Sequence, residues 1–199
     1  MSRIDSVEDT AVGAMFPIVL DLARVAVVIV GDGARTAKRV AQLRDAGARD
    51  IAVYSAAPGA ALISAAGGDL VRRHPAAVDL ARAGVVFIVD LPEAEAAQLA
   101  ATARAVGVLV NVEDRRPHCD FHTPSIVKRG DLTISISTNG RSPTLARRMR
   151  EFLEKTFGAE WRARLDVIDE KRRQWRAAGA DQKTVKRLTD ELIDRNSWL

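Results

Sequence analysis

The stretch Val25-Ala26-Val27-Val28-Ile29-Val30-Gly31-Asp32-Gly33-Ala34-Arg35-Thr36 gives the clearest indication of the fold class. Its first six residues are apolar, do not alternate with polar ones, and are mostly β-branched, which is typical of a strand buried on both faces of a parallel sheet. A glycine turn follows, and then Val40, Leu43 and Ala46 recur at helical spacing. The stretch therefore predicts a first strand, a glycine turn and a first helix.

The same alternation of strand and helix continues along the chain. Strands are predicted at 51–54, 85–89 and 108–110, and an alanine-rich helix at 93–106, with glycines at several joints. Such alternation builds βαβ crossovers and a parallel sheet. We therefore predict an α/β fold, with a loose extension at 1–14 followed by a Rossmann-type domain over 15–112.

The pattern changes after residue 112. A polar loop runs to Pro124, and 132–137 alternates apolar and polar residues as a half-exposed strand does, so it is not another central parallel strand. Ser142 followed by Pro143 is typical of a helix N-terminus, and two further helices follow. We predict a central α+β segment over 113–143 and a helical region over 144–199.

Composition narrows the class of protein. The chain has 199 residues, 47% of them hydrophobic, and a net charge of +4, which fits a folded protein rather than a disordered one. Cys119 is the only cysteine, so no intramolecular disulfide can form. No apolar run approaches the roughly 18 residues of a membrane span. Residues 1–14 carry acids where a signal peptide would be basic, so we expect a cytoplasmic protein without a membrane partner.

The glycine turn is suited to phosphate. Gly31 permits a tight turn, and Gly33 has no side chain, so a diphosphate could approach the backbone at the positive end of the following helix. Thr36 stands where a third glycine or alanine is usual, and an ordinary glycine turn is the alternative interpretation. The predicted cofactor-binding residues of this turn are Gly31, Asp32, Gly33, Ala34 and Arg35.

The end of the second strand lacks the acid that commonly binds the adenosine ribose. It reads Tyr54-Ser55-Ala56-Ala57-Pro58, so the ribose is expected on Ser55 or on backbone groups, and the choice between NAD and NADP stays open. One class of Rossmann enzyme is excluded. Short-chain dehydrogenases need a lysine four residues after a tyrosine, and the only tyrosine has Pro58 there.

Three further segments carry the chemistry. Asn111-Val112-Glu113-Asp114 lies just past a predicted strand, where ligands of open α/β sheets bind and where an acid can act as general base. The segments 119–127 (Cys-Asp-Phe-His-Thr-Pro-Ser-Ile-Val) and 134–147 (Ile-Ser-Ile-Ser-Thr-Asn-Gly-Arg-Ser-Pro-Thr-Leu-Ala-Arg) follow. In this order behind a Gly-x-Gly turn, they resemble the precorrin-2 dehydrogenase/sirohydrochlorin ferrochelatase family, over about residues 16–155.

The resemblance implies a function. Members have an NAD-binding Rossmann domain, exchange contacts in a homodimer through the central segment, and enclose a tetrapyrrole with the helical region. The expected reaction is the oxidation of precorrin-2 to sirohydrochlorin by NAD in siroheme or cobalamin biosynthesis. In some members Fe²⁺ insertion follows. Asp114 matches the family's essential acid, and its expected role is to accept the proton released on oxidation.

The resemblance also implies substrate-binding residues. Thr138 matches a serine-or-threonine position in the substrate cleft, and Asn139-Gly140 is expected to form the turn beneath it. Because the substrate carries several carboxylates, Arg141, Arg147 and Lys128 are expected partners. A solvated helix face is the alternative for these three.

One segment departs from the family pattern. The family ends its fourth strand with Ala-Thr and an acidic pair, whereas this chain reads Ile88-Val89-Asp90-Leu91-Pro92-Glu93. The segment flanks the nicotinamide side, so Asp90 is also predicted to bind the cofactor. The competing hypothesis is a diverged, non-catalytic module that senses a nucleotide or tetrapyrrole. A base at residue 114 favours the enzyme, because a sensor does not need one.

Two other functions were weighed. His118, Cys119 and His122 are too few and too close together for a closed zinc site, so no metal site is predicted. The basic residues of the last two helices alternate with acids such as Asp166, Glu170 and Asp190, which would repel phosphates, so nucleic-acid binding is not expected.

Overall fold

The structure is a computed structural model, and it describes residues 15–199. The predicted loose extension at 1–14 lies outside the described residues. The chain divides into two compact units, the first ending at His122 and the second running from Thr123 to Leu199. Each unit is built from its own elements.

The first unit is a five-stranded sheet flanked by helices. Its strands are β1 (Val27–Val30), β2 (Ile51–Tyr54), β3 (Leu70–Val71), β4 (Val85–Ile88) and β5 (Leu109–Val112). Its helices are α1 (Ala34–Asp45), α2 (Ala60–Ala66), α3 (Ala77–Leu80) and α4 (Glu93–Ala105), with 3₁₀ turns at Gly67–Asp69 and Arg116–His118. The strand order is β3-β2-β1-β4-β5, and every neighbouring pair is parallel. This confirms the predicted α/β fold with a Rossmann-type sheet.

The topology determines where a ligand can bind. Val27 pairs with Ile51 of β2 on one side and with Val85 of β4 on the other. The direction in which the chain adds strands therefore reverses at β1. In open parallel sheets ligands bind beyond the carboxyl ends of the strands at such a reversal. The glycine turn follows β1 at this edge.

Both faces of the sheet are covered, which explains the unbroken apolar runs. On one face, Val28, Val86 and Val110 pack with the alanines of α4. On the other face, Ile29 and Val53 pack against Val40 of α1 and Leu62 of α2. All four residues of β1 and of β4 are buried. Two-sided burial favours β-branched residues without alternation.

The second unit combines a hairpin with helices. Strands β6 (Ser125–Arg129) and β7 (Leu132–Ile136) pair antiparallel, apart from the five-stranded sheet. This confirms the prediction that 132–137 forms a strand outside the central parallel sheet. Gly130 turns the hairpin at φ +62°. The helices are α5 (Pro143–Thr156), α6 (Trp161–Ala177) and α7 (Gln182–Arg195). Within the described residues, no helix is both long enough and apolar enough to cross a bilayer.

Side chains cap the ends of helix α5. The hydroxyl of Ser142 accepts a hydrogen bond from the backbone N–H of Leu145 at 3.2 Å, which confirms the predicted N-cap. At the other end, the guanidinium of Arg129 donates to the carbonyls of Phe157 (2.7 Å) and Glu154 (3.0 Å). Arg129 thus ties β6 to the C-terminal end of α5, where a cation also favours the helix dipole.

Candidate functional site

Close packing requires a glycine at Gly31 in the turn after β1 and places Asp90 against Gly33. A Cβ atom at Gly31 would lie 2.0 Å from the carbonyl oxygen of Val89, and one at Gly33 would lie 2.5 Å from a carboxylate oxygen of Asp90. Backbone cannot yield to the first contact, whereas a side chain could yield to the second. The open side of Gly33, which we expected to face a diphosphate, therefore faces Asp90 in this structure.

The first turn of α1 retains unpartnered amides. Gly33 is the N-cap and has no side chain to cap the helix. The N–H of Thr36 donates to Asp90 Oδ2 at 2.9 Å, but no acceptor within the described part of the chain pairs with the N–H groups of Gly33, Ala34 or Arg35. Free amides at the positive end of a helix are suited to bind an anion.

Asp90 lies directly beside these amides. It follows β4 with a left-handed backbone (φ +55°), which aspartate tolerates better than most residues. Its Oδ1 accepts from Arg35 Nε at 2.6 Å, and its Oδ2 also accepts from the Thr36 hydroxyl at 3.2 Å. Burial tends to raise the pKa of Asp90, but the hydrogen bonds from Arg35 and Thr36 outweigh it and lower the pKa below its ordinary value.

Asp114 is held at the same edge of the sheet. It follows β5, also with a left-handed backbone (φ +61°), and its side chain is 78% exposed. Its Oδ2 accepts a hydrogen bond from Arg35 Nη1 at 2.9 Å. Arg35 therefore links Asp90 and Asp114, and a residue of the glycine turn's own helix holds the candidate base. The carboxylate stays open to a ligand.

A further ion pair, between Arg39 and Glu113, joins this network and was not predicted from the sequence. Arg39 Nη2 pairs with Glu113 Oε1 at 3.0 Å, and its guanidinium carbon lies 5.4 Å from the centre of the Phe87 ring. Glu113 also approaches Arg35 Nε at 3.5 Å. One signal was available, since Arg35 and Arg39 are four residues apart and so share a face of α1. Their acidic partners lie on other elements, which the spacing could not reveal.

The predicted residues at the end of β2 also contact each other. Ser55 is buried, and its hydroxyl donates to Asp32 Oδ1 at 2.5 Å. The same oxygen accepts from the N–H of Ala57 at 3.2 Å, and the carbonyl of Asp32 accepts from the N–H of Gly59 at 3.1 Å. Asp32 is only half-buried, so its carboxylate is more accessible than the Ser55 hydroxyl.

In the second unit, Thr138 and its neighbours form the turn before α5. The Thr138 hydroxyl donates to the carbonyl of Ser142 at 3.1 Å and accepts from its N–H at 3.2 Å. Asn139 (φ +51°) and Gly140 (φ +69°) are both left-handed. The Asn139 side-chain oxygen is buried, and no donor among residues 15–199 reaches it.

The three basic residues predicted to bind carboxylates of the substrate differ in their contacts. Arg147 pairs with Glu151, four residues along the same helix, at 2.7 Å. Within the described residues, no carboxylate pairs with Lys128 or with Arg141, and both side chains are exposed. Of these three described residues, Lys128 and Arg141 therefore keep a charge that no carboxylate within residues 15–199 pairs with.

Two of the three residues considered for a metal site, His118 and Cys119, contact other groups. His118 Nε2 lies 2.9 Å from a carboxylate oxygen of Glu93. Cys119 Sγ donates to the carbonyl of Val112 at 3.1 Å, and burial raises the pKa of the Cys119 thiol. Within 15–199, no three His, Cys, Asp or Glu side chains lie close enough together to hold a metal ion.

Comparison with known protein families identifies the first unit. A family model described as "Putative NAD(P)-binding" matches residues 18–125, and one described as "Sirohaem biosynthesis protein central" matches residues 129–156. Because the first match covers more than half of the chain, the chain belongs to that NAD(P)-binding family. The two matches together confirm the resemblance stated from the sequence.

Curated relatives and solved structures agree with this assignment. The chain is 34% identical to siroheme synthase 1 of Serratia proteamaculans over 80% of its length, and 33% identical to siroheme synthase of Methylococcus capsulatus over 69%. It spans only 37% and 30% of those proteins. The solved structure titled SirC, precorrin-2 dehydrogenase, has a similar fold, with a TM-score of 0.70 and 24% identity over 90% of this chain and 89% of that one.

Proposed function

We propose that this protein is an NAD-dependent dehydrogenase that oxidises precorrin-2 to sirohydrochlorin in siroheme or cobalamin biosynthesis. One observation carries the proposal: Asp114, an exposed carboxylate, is hydrogen-bonded through Arg35 to the helix that begins at the glycine turn. A base and a dinucleotide site thus share one sheet edge. The names of the similar proteins, siroheme synthase and precorrin-2 dehydrogenase, support the same reaction.

The residues at the start of α1 fit the diphosphate of NAD. The free N–H groups of Gly33, Ala34 and Arg35 supply donors, and the positive end of the helix supplies favourable charge. Asp90 occupies only the next amide, that of Thr36. When bound, NAD supplies the acceptor for a hydride.

Asp114 is the proposed acceptor of the proton that the substrate loses on oxidation. Oxidation of a CH–CH or CH–NH unit to a double bond removes a hydride and a proton. Because the cofactor accepts only the hydride, a base must accept the proton. The Asp114 carboxylate accepts that proton, and Arg35 holds it in place at 2.9 Å. A positioned general base contributes about 10²- to 10⁴-fold to a rate.

The second unit has groups that suit a polyacidic substrate. Lys128 and Arg141 are exposed cations without a carboxylate partner among the described residues, and the Thr138–Gly140 turn adds polar groups. We further propose a cytosolic homodimer, in which the exposed apolar side chains of α5 contact the partner. Leu145, Met149 and Phe152 are 51%, 43% and 66% exposed.

The test is a redox assay with the purified chain. Supplied with precorrin-2 and NAD, the protein should form NADH and sirohydrochlorin in equal amounts, measured by absorbance under anaerobic conditions. If the protein binds NAD and yields no NADH, the enzymatic proposal fails and the sensing module takes its place. A separate assay with sirohydrochlorin and Fe²⁺ tests whether the same chain also inserts iron.

A further inference from the structure

We propose that the Asp32 carboxylate selects NAD over NADP by accepting a hydrogen bond from the 2′-hydroxyl of the adenosine ribose. The inference rests on the proposed function, because it assumes that a nicotinamide dinucleotide binds at the glycine turn. It concerns only the adenosine end of that cofactor and adds a specificity-determining residue.

The end of β2 lacks the residue that usually makes this contact. In dinucleotide-binding sheets an Asp or Glu about 20 residues after the glycine motif accepts from the ribose 2′-hydroxyl. Here β2 ends at Tyr54 and the chain continues Ser55-Ala56-Ala57-Pro58, with no acid. A carboxylate from another element would have to serve.

Asp32 brings a carboxylate to this position from the turn after β1. Its Oδ1 accepts from the hydroxyl of Ser55 and from the N–H of Ala57, so the side chain extends toward the end of β2. Its own carbonyl accepts from the N–H of Gly59, which anchors the backbone to the same loop. These contacts tie the carboxylate to the end of β2 in place of the missing acid.

One oxygen of that carboxylate is committed and the other is available. Asp32 Oδ2 has no hydrogen-bond donor within the described part of the chain, and the residue is half-buried. The buried hydroxyl of Ser55 orients the group without neutralising it. A carboxylate held in this way presents an acceptor to a hydroxyl and a negative charge to a phosphate.

The neighbouring arginine does not offset that charge. NADP sites commonly use an arginine to hold the 2′-phosphate. Arg73 lies over the ring of Tyr54, the last residue of β2, at 5.2 Å, but both of its terminal nitrogens already donate to Asp79, at 2.6 and 2.9 Å. The 2′-phosphate of NADP would lie beside the negative charge of Asp32, and Arg73 is already paired with Asp79. The site therefore favours NAD.

The experiment measures dissociation constants for NAD and NADP by calorimetry on the full chain. The wild type should bind NAD at least roughly tenfold more tightly than NADP, since like-charge contacts at an interface are strongly unfavourable. Asp32→Asn should reduce that ratio by roughly tenfold, through tighter NADP and weaker NAD binding. Asp45→Asn makes the same change at an exposed residue at the end of α1 and should leave the ratio unchanged.

Two further measurements keep the inference testable if Asp32→Asn does not fold. Ser55→Ala removes the orienting hydroxyl but keeps the charge, so rejection of NADP should persist. The wild type should bind 2′-deoxy-NAD more weakly than NAD, because the analogue leaves Asp32 without its donor.

The outcomes separate the two proposals. Equal affinity of the wild type for NAD and NADP, or an unchanged ratio in Asp32→Asn, overturns the role of Asp32 and leaves dinucleotide binding intact. If the wild type binds neither dinucleotide, the proposed function itself fails.

Discussion

The two units differ in how much apolar surface they bury. The first buries them in two clusters, one on each face of the sheet, with Ile29, Leu62 and Leu80 fully enclosed. The second has one small buried cluster, formed by Val127, Ile136 and Ala146, while large apolar residues of α5 stay exposed. Both units also expose large apolar side chains, among them Phe16 and Val78 in the first and Leu145 and Phe152 in the second, so the difference lies in the size of the buried clusters.

The charged groups assigned to ligands differ as well, although both units contain ion pairs. In the first unit Arg35 and Arg39 pair with Asp90, Glu113 and Asp114 at one sheet edge. In the second, Lys128 and Arg141 pair with no carboxylate of the described residues. Paired charges position groups within the chain, and unpaired cations remain available to an anionic ligand.

A substitution in the core of the first unit should change stability most. Ile29→Ala should lower the free energy of unfolding by about 2–5 kcal/mol, because it leaves a cavity in a fully buried strand. Leu145→Ala in the second unit should change it by less than about 0.5 kcal/mol, since that side chain is half exposed. Urea unfolding of both variants measures the difference. Equal losses would show that the second unit is as tightly packed as the first.

A smaller effect should appear in self-association. Phe152→Ser should raise the dimer dissociation constant by roughly tenfold or more, because buried aromatic residues dominate interface energies. Val78→Ser in the first unit is the matched control, since Val78 and Phe152 are both 66% exposed, and it should leave association unchanged. Sedimentation velocity over a concentration series gives both constants. A monomeric wild type would contradict the proposed use of this surface.

The sequence was most informative where burial imposes a pattern. Strands β1 and β4 were evident because two-sided burial leaves continuous apolar runs, and the Ser142 cap was evident because its hydroxyl acts locally. The sequence did not predict helices α2 and α3 or the two-residue strand β3. In the alanine-rich stretch 59–80 the apolar pattern of each element is too short to be recognised. Their positions depend on packing against the sheet.

The sequence predicted only part of the candidate site, for a related reason. Gly31, Gly33 and Asp114 carry motif signals, so the sequence predicts them as site residues. The contacts of Arg35 with Asp90 and of Asp32 with Ser55 join residues 55 and 23 positions apart, and only the sheet topology brings them together. The direction of Asp90 toward Thr36 is likewise set by the left-handed backbone after β4.

The smallest effect concerns pH and tests whether the paired charges of the first unit stabilise it. Because the pKa of Asp90 is lowered in the folded protein, its contribution to stability is present above the pKa of an unfolded aspartate, near 3.9. That contribution is lost as pH falls through the lower, folded value. We expect Asp90→Asn to remove less than about 1 kcal/mol at pH 7 and to flatten the loss of stability below pH 4. Urea titrations between pH 3 and 7 measure the slope, and identical slopes in variant and wild type would contradict the pairing.

We propose that the first unit binds NAD at the start of α1 and presents Asp114 as the base for the same reaction. The most direct measurement is the initial rate of NADH formation from precorrin-2 by Asp114→Asn beside Asp45→Asn, with NAD binding measured on the same preparations. We expect a loss of about 10²- to 10⁴-fold in Asp114→Asn with NAD still bound, and a wild-type rate in the control. A wild-type rate in Asp114→Asn would contradict it.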